Sequence, residues 1–113
     1  MIEYSRGDVI LVSFIFTDET GIKRRPALVV SSDYYHIGRD EAIIIAITSR
    51  TDRLLVGDYP ISDWKGAGLL LPSVATGIIR TIKTNLIDRK LGSITRPDME
   101  AIDGKLQLIL DLP

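Results

Sequence analysis

Three runs rich in β-branched and apolar residues, Asp8–Ile15, Pro26–Ser32 and Ala42–Thr48, set the terms on which this chain can fold. Valine, isoleucine and threonine are stiff at χ1 and pack well on a pleated surface, so each run reads as a strand. None of the three approaches the ~18 apolar residues of a membrane span. The third is almost wholly apolar, as expected of a buried strand. The first two are joined by Phe16 to Arg24, with Gly21 available for the turn, a connection longer than a tight hairpin loop.

Further short strands are expected near Leu54–Asp58, Gly68–Leu71, Ser73–Thr76 and Ile78–Thr84, with no helical pattern between them. Closely spaced strands of this kind make a small barrel or a sandwich. The C-terminus differs. Thr95-Arg96-Pro97-Asp98 supplies an N-cap hydroxyl, an early proline and an acidic residue in the first turn, and Met99, Ile102, Leu106, Ile109 and Leu110 follow at helical spacing. One amphipathic helix is expected to close the chain and pack on the sheet, with Gly104 weakening it by about 1 kcal/mol relative to Ala. The reading is mainly β with a C-terminal α-helix, a single domain over residues 1–113.

Fourteen Lys and Arg against fifteen Asp and Glu leave a net charge of −1, a poor start for a nucleic-acid binder. The distribution says otherwise. Residues 1–20 sum to −3 and residues 91–113 to −2, whereas residues 21–53 sum to +2 and residues 77–90 to +3. If the fold brings the two inner segments together, one face is basic. The absence of cysteine excludes disulfides, a thiol nucleophile and cysteine-ligated zinc, and a lone histidine cannot build a multi-histidine metal site, so no cofactor is expected. The N-terminus has neither a basic start nor an apolar signal core, so a cytoplasmic location with no membrane partner is expected.

Two segments have the groups to handle an anion. In Arg24-Arg25-Pro26 the proline holds Arg25 extended, giving its guanidinium a defined direction; it can fork onto a phosphate or pair with a nearby carboxylate. Ile47-Thr48-Ser49-Arg50 ends the third strand with two hydroxyls and an arginine, a donor set for an oxyanion or a polar cap on a turn. If the second and third strands pair antiparallel, the start of one lies beside the end of the other and Arg25 can meet Thr48. His36 can act as acid or base near neutral pH, but is expected to be solvent-exposed. Trp64 reads as a core or rim residue rather than a base-stacking platform, and Asp58 and Asp63 lack a partner carboxylate.

In order along the chain, Gly7-Asp8-Val9, Arg24-Arg25-Pro26-Ala27-Leu28-Val29-Val30, Ala46-Ile47-Thr48-Ser49, Pro72-Ser73-Val74, Arg80-Thr81-Ile82 and Leu91-Gly92-Ser93-Ile94 resemble the MazF/PemK family of toxin endoribonucleases. The resemblance covers nearly the whole chain. It implies an SH3-like β-barrel with a C-terminal helix, shared with CcdB-like toxins, in a homodimer. It further implies metal-independent, sequence-specific cleavage of single-stranded RNA, mRNA included, and inhibition by a cognate antitoxin protein. Carried over residue by residue, it makes Arg25 the acid/base and phosphate-stabilising group and Thr48 a partner in holding transition-state charge. Lys23, Arg24, Ser49, Arg50, Arg53, Arg80 and Lys83 are the candidates for RNA contact.

The sequence departs from this pattern in one place. Some members carry an acidic residue just before the Arg-Thr-Ile element, whereas Val74–Ile79 contains no carboxylate. Either Arg25 and Thr48 suffice, or Asp18, Glu19 or His36 supplies a base, or the protein binds RNA with reduced activity. Two other readings follow the same fold: a non-catalytic toxin that acts by protein contact, as gyrase poisons do, and a plain SH3-like interaction domain.

Overall fold

In the computed structural model, residues 3–15 and 22–113 are described. Six strands, β1 (Asp8–Ile15), β2 (Ile22–Val29), β3 (Glu41–Thr48), β4 (Tyr59–Pro60), β5 (Val74–Lys83) and β6 (Ile87–Ser93), form one antiparallel sheet in the order β4-β5-β3-β2-β1-β6. Helix α1 (Asp33–His36) is a single turn after β2, and α2 (Arg96–Leu110) follows β6. The architecture is mainly β with a C-terminal helix, as expected. No helix among the described residues is long and apolar enough to cross a membrane.

The sheet is strongly curled, and the connection between β5 and β6 shows why. These consecutive strands stand four places apart in the sheet, about 19 Å if it were flat at ~4.8 Å per strand. The 3₁₀ turn Thr84–Leu86 is all that joins them. Its four Cα steps reach about 14 Å at full extension, so the sheet must bend until β6 comes round to meet β5. The barrel is an open one, since β4 and β6 are its two edges.

Both faces of the middle strands are buried. Ile10, Val12, Ala27, Val29 and Ile44 pack with Ile82 and Ile87, the residues flanking that turn. Their neighbours Val9, Leu28, Ile45 and Ile47 point the other way, against Ile61, Ala67, Leu69, Ala75 and Ile102 of α2. This is why the sequence runs are continuously apolar rather than alternating.

The strand expectations shift in four places. β2 starts at Ile22, so Lys23 and Arg24 are strand residues opposite Phe14 and Ser13 rather than loop residues, and strand pairing stops at Val29 instead of Ser32. Most of the connection expected at Phe16 to Arg24 lies outside the described residues. Residues 54–58 form a turn, with Asp58 Oδ2 accepting from Leu55 N at 2.9 Å and Gly57 at φ +95°. Residues 68–71 are not a strand either: Gly68 sits at φ +84°, and a Cβ there would collide with the Leu91 carbonyl. Finally, the two strands read over Ser73–Thr84 are the single strand β5, in which the break at Gly77 is an irregularity opposite Ile45 to Ile47. The sequence reading left out β4, β6 and α1.

The C-terminal helix begins as its sequence requires, with the Thr95 hydroxyl accepting from Asp98 N at 3.3 Å. Ile102 is buried, with Met99 and Leu106 packed beside it, but Leu110 is 52% exposed and does not join the packed face. Gly104 has open space around it. Asp98 does more than favour the helix start. Only 1% exposed, its carboxylate accepts from the Tyr59 hydroxyl at 2.6 Å, Ser62 N at 3.1 Å and Asp63 N at 3.1 Å, tying α2 to the segment after β4.

Candidate functional site

Pro26 has no N–H to give, and the β2–β3 ladder accordingly begins one residue later, at Ala27 opposite Ala46. Continued two residues past that pair, the register sets Arg25 opposite Thr48. Both line an open cleft of about 690 Å³. Its floor and walls come from four directions: Leu11 of β1, Arg24, Arg25 and Pro26 of β2, Ile47, Thr48 and Ser49 at the end of β3, and Arg89 and Leu91 of β6, with Gly68 to Leu71 and Ser73 along one side.

The polar lining consists of three arginines and three hydroxyls, and no carboxylate belongs to it among the described residues. Arg25 is exposed and makes no ion pair with any described residue, whereas Arg24 is held by Asp88 at 3.5 Å. The Thr48 Oγ1 accepts from Arg50 N at 3.1 Å, which makes it the cap of its turn. That bond uses a lone pair and leaves the hydroxyl proton available to donate. Fixed N–H and O–H donors in a cleft without competing acid can bind a phosphodiester and stabilise charge that develops on its oxygens.

The other candidates are dispersed. Ser49 lines the cleft. Lys23 is exposed on β2, Arg50 is exposed and paired with Asp52 at 3.0 Å, and Arg53 is exposed beyond it; none of the three is part of the lining. Arg80 pairs in register with Ile44, halfway along β3. Lys83 stands opposite Glu41 and bonds Asp40 at 3.4 Å, at the far end of β3 from Thr48, about 23 Å away along the strand. Arg89, which is not among the residues singled out from the sequence, also lines the cleft; its only signal there is its share of the +3 of residues 77–90. Its place in the cleft depends on β6 pairing with β1, where it stands opposite Leu11.

His36 is not the exposed histidine expected. Its side chain is 12% exposed, Nε2 lies 2.6 Å from the Ser31 hydroxyl, and the Tyr4 ring packs edge-on at 4.6 Å. It lines a separate cavity of about 550 Å³ with Tyr4, Asp33 and Arg39, at the end of β2 away from Arg25, so it cannot reach the cleft of its own chain. Asp18 and Glu19 lie outside the described residues. Asp58 and Asp63 serve turns, accepting from Leu55 N and Gly66 N, and Trp64 packs at the core's rim.

A curled, mainly β sheet followed by one helix, with an arginine- and hydroxyl-lined cleft between the middle of β2 and the end of β3, places the chain in a class of small, mainly β proteins. Residues 5–110 match the family described as PemK-like, MazF-like toxin of type II toxin-antitoxin system. The chain belongs to that family. Solved structures share the fold: an endoribonuclease in complex with its cognate antitoxin from a mycobacterial species (23% identity, 98% of each chain covered, TM-score 0.76). The Mycobacterium tuberculosis toxin MazF-mt6 is similar (21% identity, 94% of this chain and 98% of that one, TM-score 0.76). So is the MazE–MazF complex of Deinococcus radiodurans (20% identity, 98% of this chain and 100% of that one, TM-score 0.76).

Proposed function

We propose that this toxin is a cytoplasmic endoribonuclease that cuts single-stranded RNA, including mRNA, without a metal ion. The observation that carries the reading is the convergence of Arg25 and Thr48 in one cleft beside Arg24 and Ser49. In the reaction, the RNA's own 2′-oxygen forms a bond to the adjacent phosphorus as the bond from phosphorus to the 5′-oxygen breaks. The 2′-hydroxyl loses a proton, the 5′-oxygen gains one, and the products carry a 2′,3′-cyclic phosphate and a 5′-hydroxyl. Arg25 faces the phosphate, neutralises its non-bridging oxygens as charge builds and supplies hydrogen-bonding protons at the leaving oxygen, while the Thr48 hydroxyl donates to the same anion. No protein nucleophile is needed.

Two partners accompany this reading. A cognate antitoxin covers the cationic cleft, in keeping with the antitoxin complexes among the similar structures. A second copy completes a homodimer, a reading supported by the exposed apolar side chains of Val56, Ile78, Leu108 and Leu112. The lack of a carboxylate among the described cleft residues favours one rival, a non-catalytic toxin that acts by protein contact.

Incubating the purified protein with mixed single-stranded RNA in EDTA, beside Arg25→Ala, separates these readings. Cleavage with 5′-hydroxyl ends is expected from the native protein and a loss of about 10²–10³ in rate from the variant. RNA with a 2′-methoxy group at the cut is expected to remain whole. Equal cutting of that RNA refutes attack by the 2′-oxygen, and undiminished activity of Arg25→Ala moves the site elsewhere.

A further inference from the structure

The three charged residues of β6 between Asp88 and Lys90 have different fates. Asp88 reaches Arg24 across the sheet at 3.5 Å, and Lys90 is bound to the buried Asp8 at 3.2 Å. Arg89, between them, is exposed, lines the cleft and has no hydrogen bond or ion pair with any described residue. It stands opposite Leu11, and Leu11 stands opposite Pro26, so Arg89 rises from a backbone two strands away from the Arg25-Pro26 step, roughly 10 Å across the cleft floor. An arginine with no partner among the described residues, facing another across a groove, is placed to take a second phosphate of the same strand.

We propose that Arg89 is a substrate-holding residue that grips a backbone phosphate next to the one attacked at Arg25, and so sets how the RNA lies across the cleft. This rests on the endoribonuclease reading above. Because Arg89 holds a phosphate whose charge does not change during the reaction, it binds ground state and transition state alike, and its loss falls on binding rather than on the chemical step.

The test uses a 2′-methoxy RNA, which binds without being cut, titrated with native protein, Arg89→Gln, Arg89→Lys and Arg96→Gln at several salt concentrations. Arg96 is exposed and outside the cleft, so its loss controls for one unit of overall charge. Arg89→Gln is expected to weaken binding roughly tenfold and to lower the slope of log K against log salt by about 0.7, the value of one phosphate contact to a single strand. Arg89→Lys is expected to retain the slope, and Arg96→Gln both slope and affinity. With cleavable RNA, Arg89→Gln is expected to raise KM roughly tenfold with kcat within about threefold. An Arg89→Gln slope equal to that of Arg96→Gln, or a loss confined to kcat, overturns the assignment while cleavage by the native protein stands. Failure of native protein to bind or cut RNA overturns the nuclease reading itself.

Discussion

Replacing Asp98 by alanine tests how one wall of the cleft is held. The Asp98 carboxylate, 1% exposed, accepts three hydrogen bonds, from the Tyr59 hydroxyl and from the backbone of Ser62 and Asp63. That grip anchors the start of the segment that continues through Leu69 to Leu71 into the cleft. A hydrogen bond to a charged group is worth about 1.5–3 kcal/mol, but Ser62 and Asp63 are exposed enough for water to replace part of theirs, leaving a net loss of about 3–4 kcal/mol. At ~2.1 cal/mol/K per residue, 113 residues melt with an entropy of about 0.24 kcal/mol/K, so Tm is expected to fall by about 12–17 °C in calorimetry at pH 7. Burial alone works to raise the Asp98 pKa, but the hydrogen bonds from Tyr59, Asp63 and Ser62 outweigh it and hold the carboxyl below its ordinary 3.8. A depressed pKa gives stability that is fully present above the unfolded value and is lost as pH falls through the folded one. The gap between native protein and Asp98→Ala is therefore expected to narrow below about pH 4. At the other extreme, the bond to Asp98 raises the Tyr59 pKa above 10.0, so that hydroxyl's contribution is present below pH 10 and lost as pH climbs past it. A variant melting within about 3 °C of the native protein, or a gap that does not change in acid, would refute the reasoning.

Gly68→Ala is expected to cost at least about 2 kcal/mol, or about 8 °C in Tm, because φ +84° is strained for a residue with a Cβ and that atom would meet the Leu91 carbonyl. A melt unchanged from the native protein would show that β6 yields there. Thr48→Val removes both the cap on Arg50 N and the cleft hydroxyl, and is expected to lower kcat by about 10–100-fold, with Thr48→Ser restoring most of it. Loss in Thr48→Ser with activity kept in Thr48→Val, measured by single-turnover cleavage, would assign the effect to packing of the methyl group instead.

Much of the fold was legible because its determinants are local. The first and third apolar runs became strands, and Thr95 began α2, because side-chain stiffness and capping act within a few residues. Elements whose existence depends on a distant partner were missed. β6 reads as a charged stretch, Ile87-Asp-Arg-Lys-Leu-Gly-Ser93, and becomes a strand through pairing with β1, where Asp8 accepts from the Ser93 hydroxyl at 2.8 Å. Residues 54–58 and 68–71 look extended in sequence, yet Asp58 and the positive-φ glycines turn them.

The sequence by itself determined that this chain would be a small β protein closed by a helix, and that Arg25 would meet Thr48 if the second and third strands paired antiparallel; the structure sets Arg25 inside β2 rather than at its start. Only the tertiary structure decided which charges share a surface. It brought Arg89 to the cleft through β6 and left Lys83 at the far end of β3. It packed His36 against Ser31 and Tyr4, and it turned Asp98 from a helix-starting residue into the anchor of a cleft wall. Local pattern fixes which way a side chain points along its own strand. Register and curl, set by hydrogen bonds and a short connection between residues remote in sequence, fix what it points at.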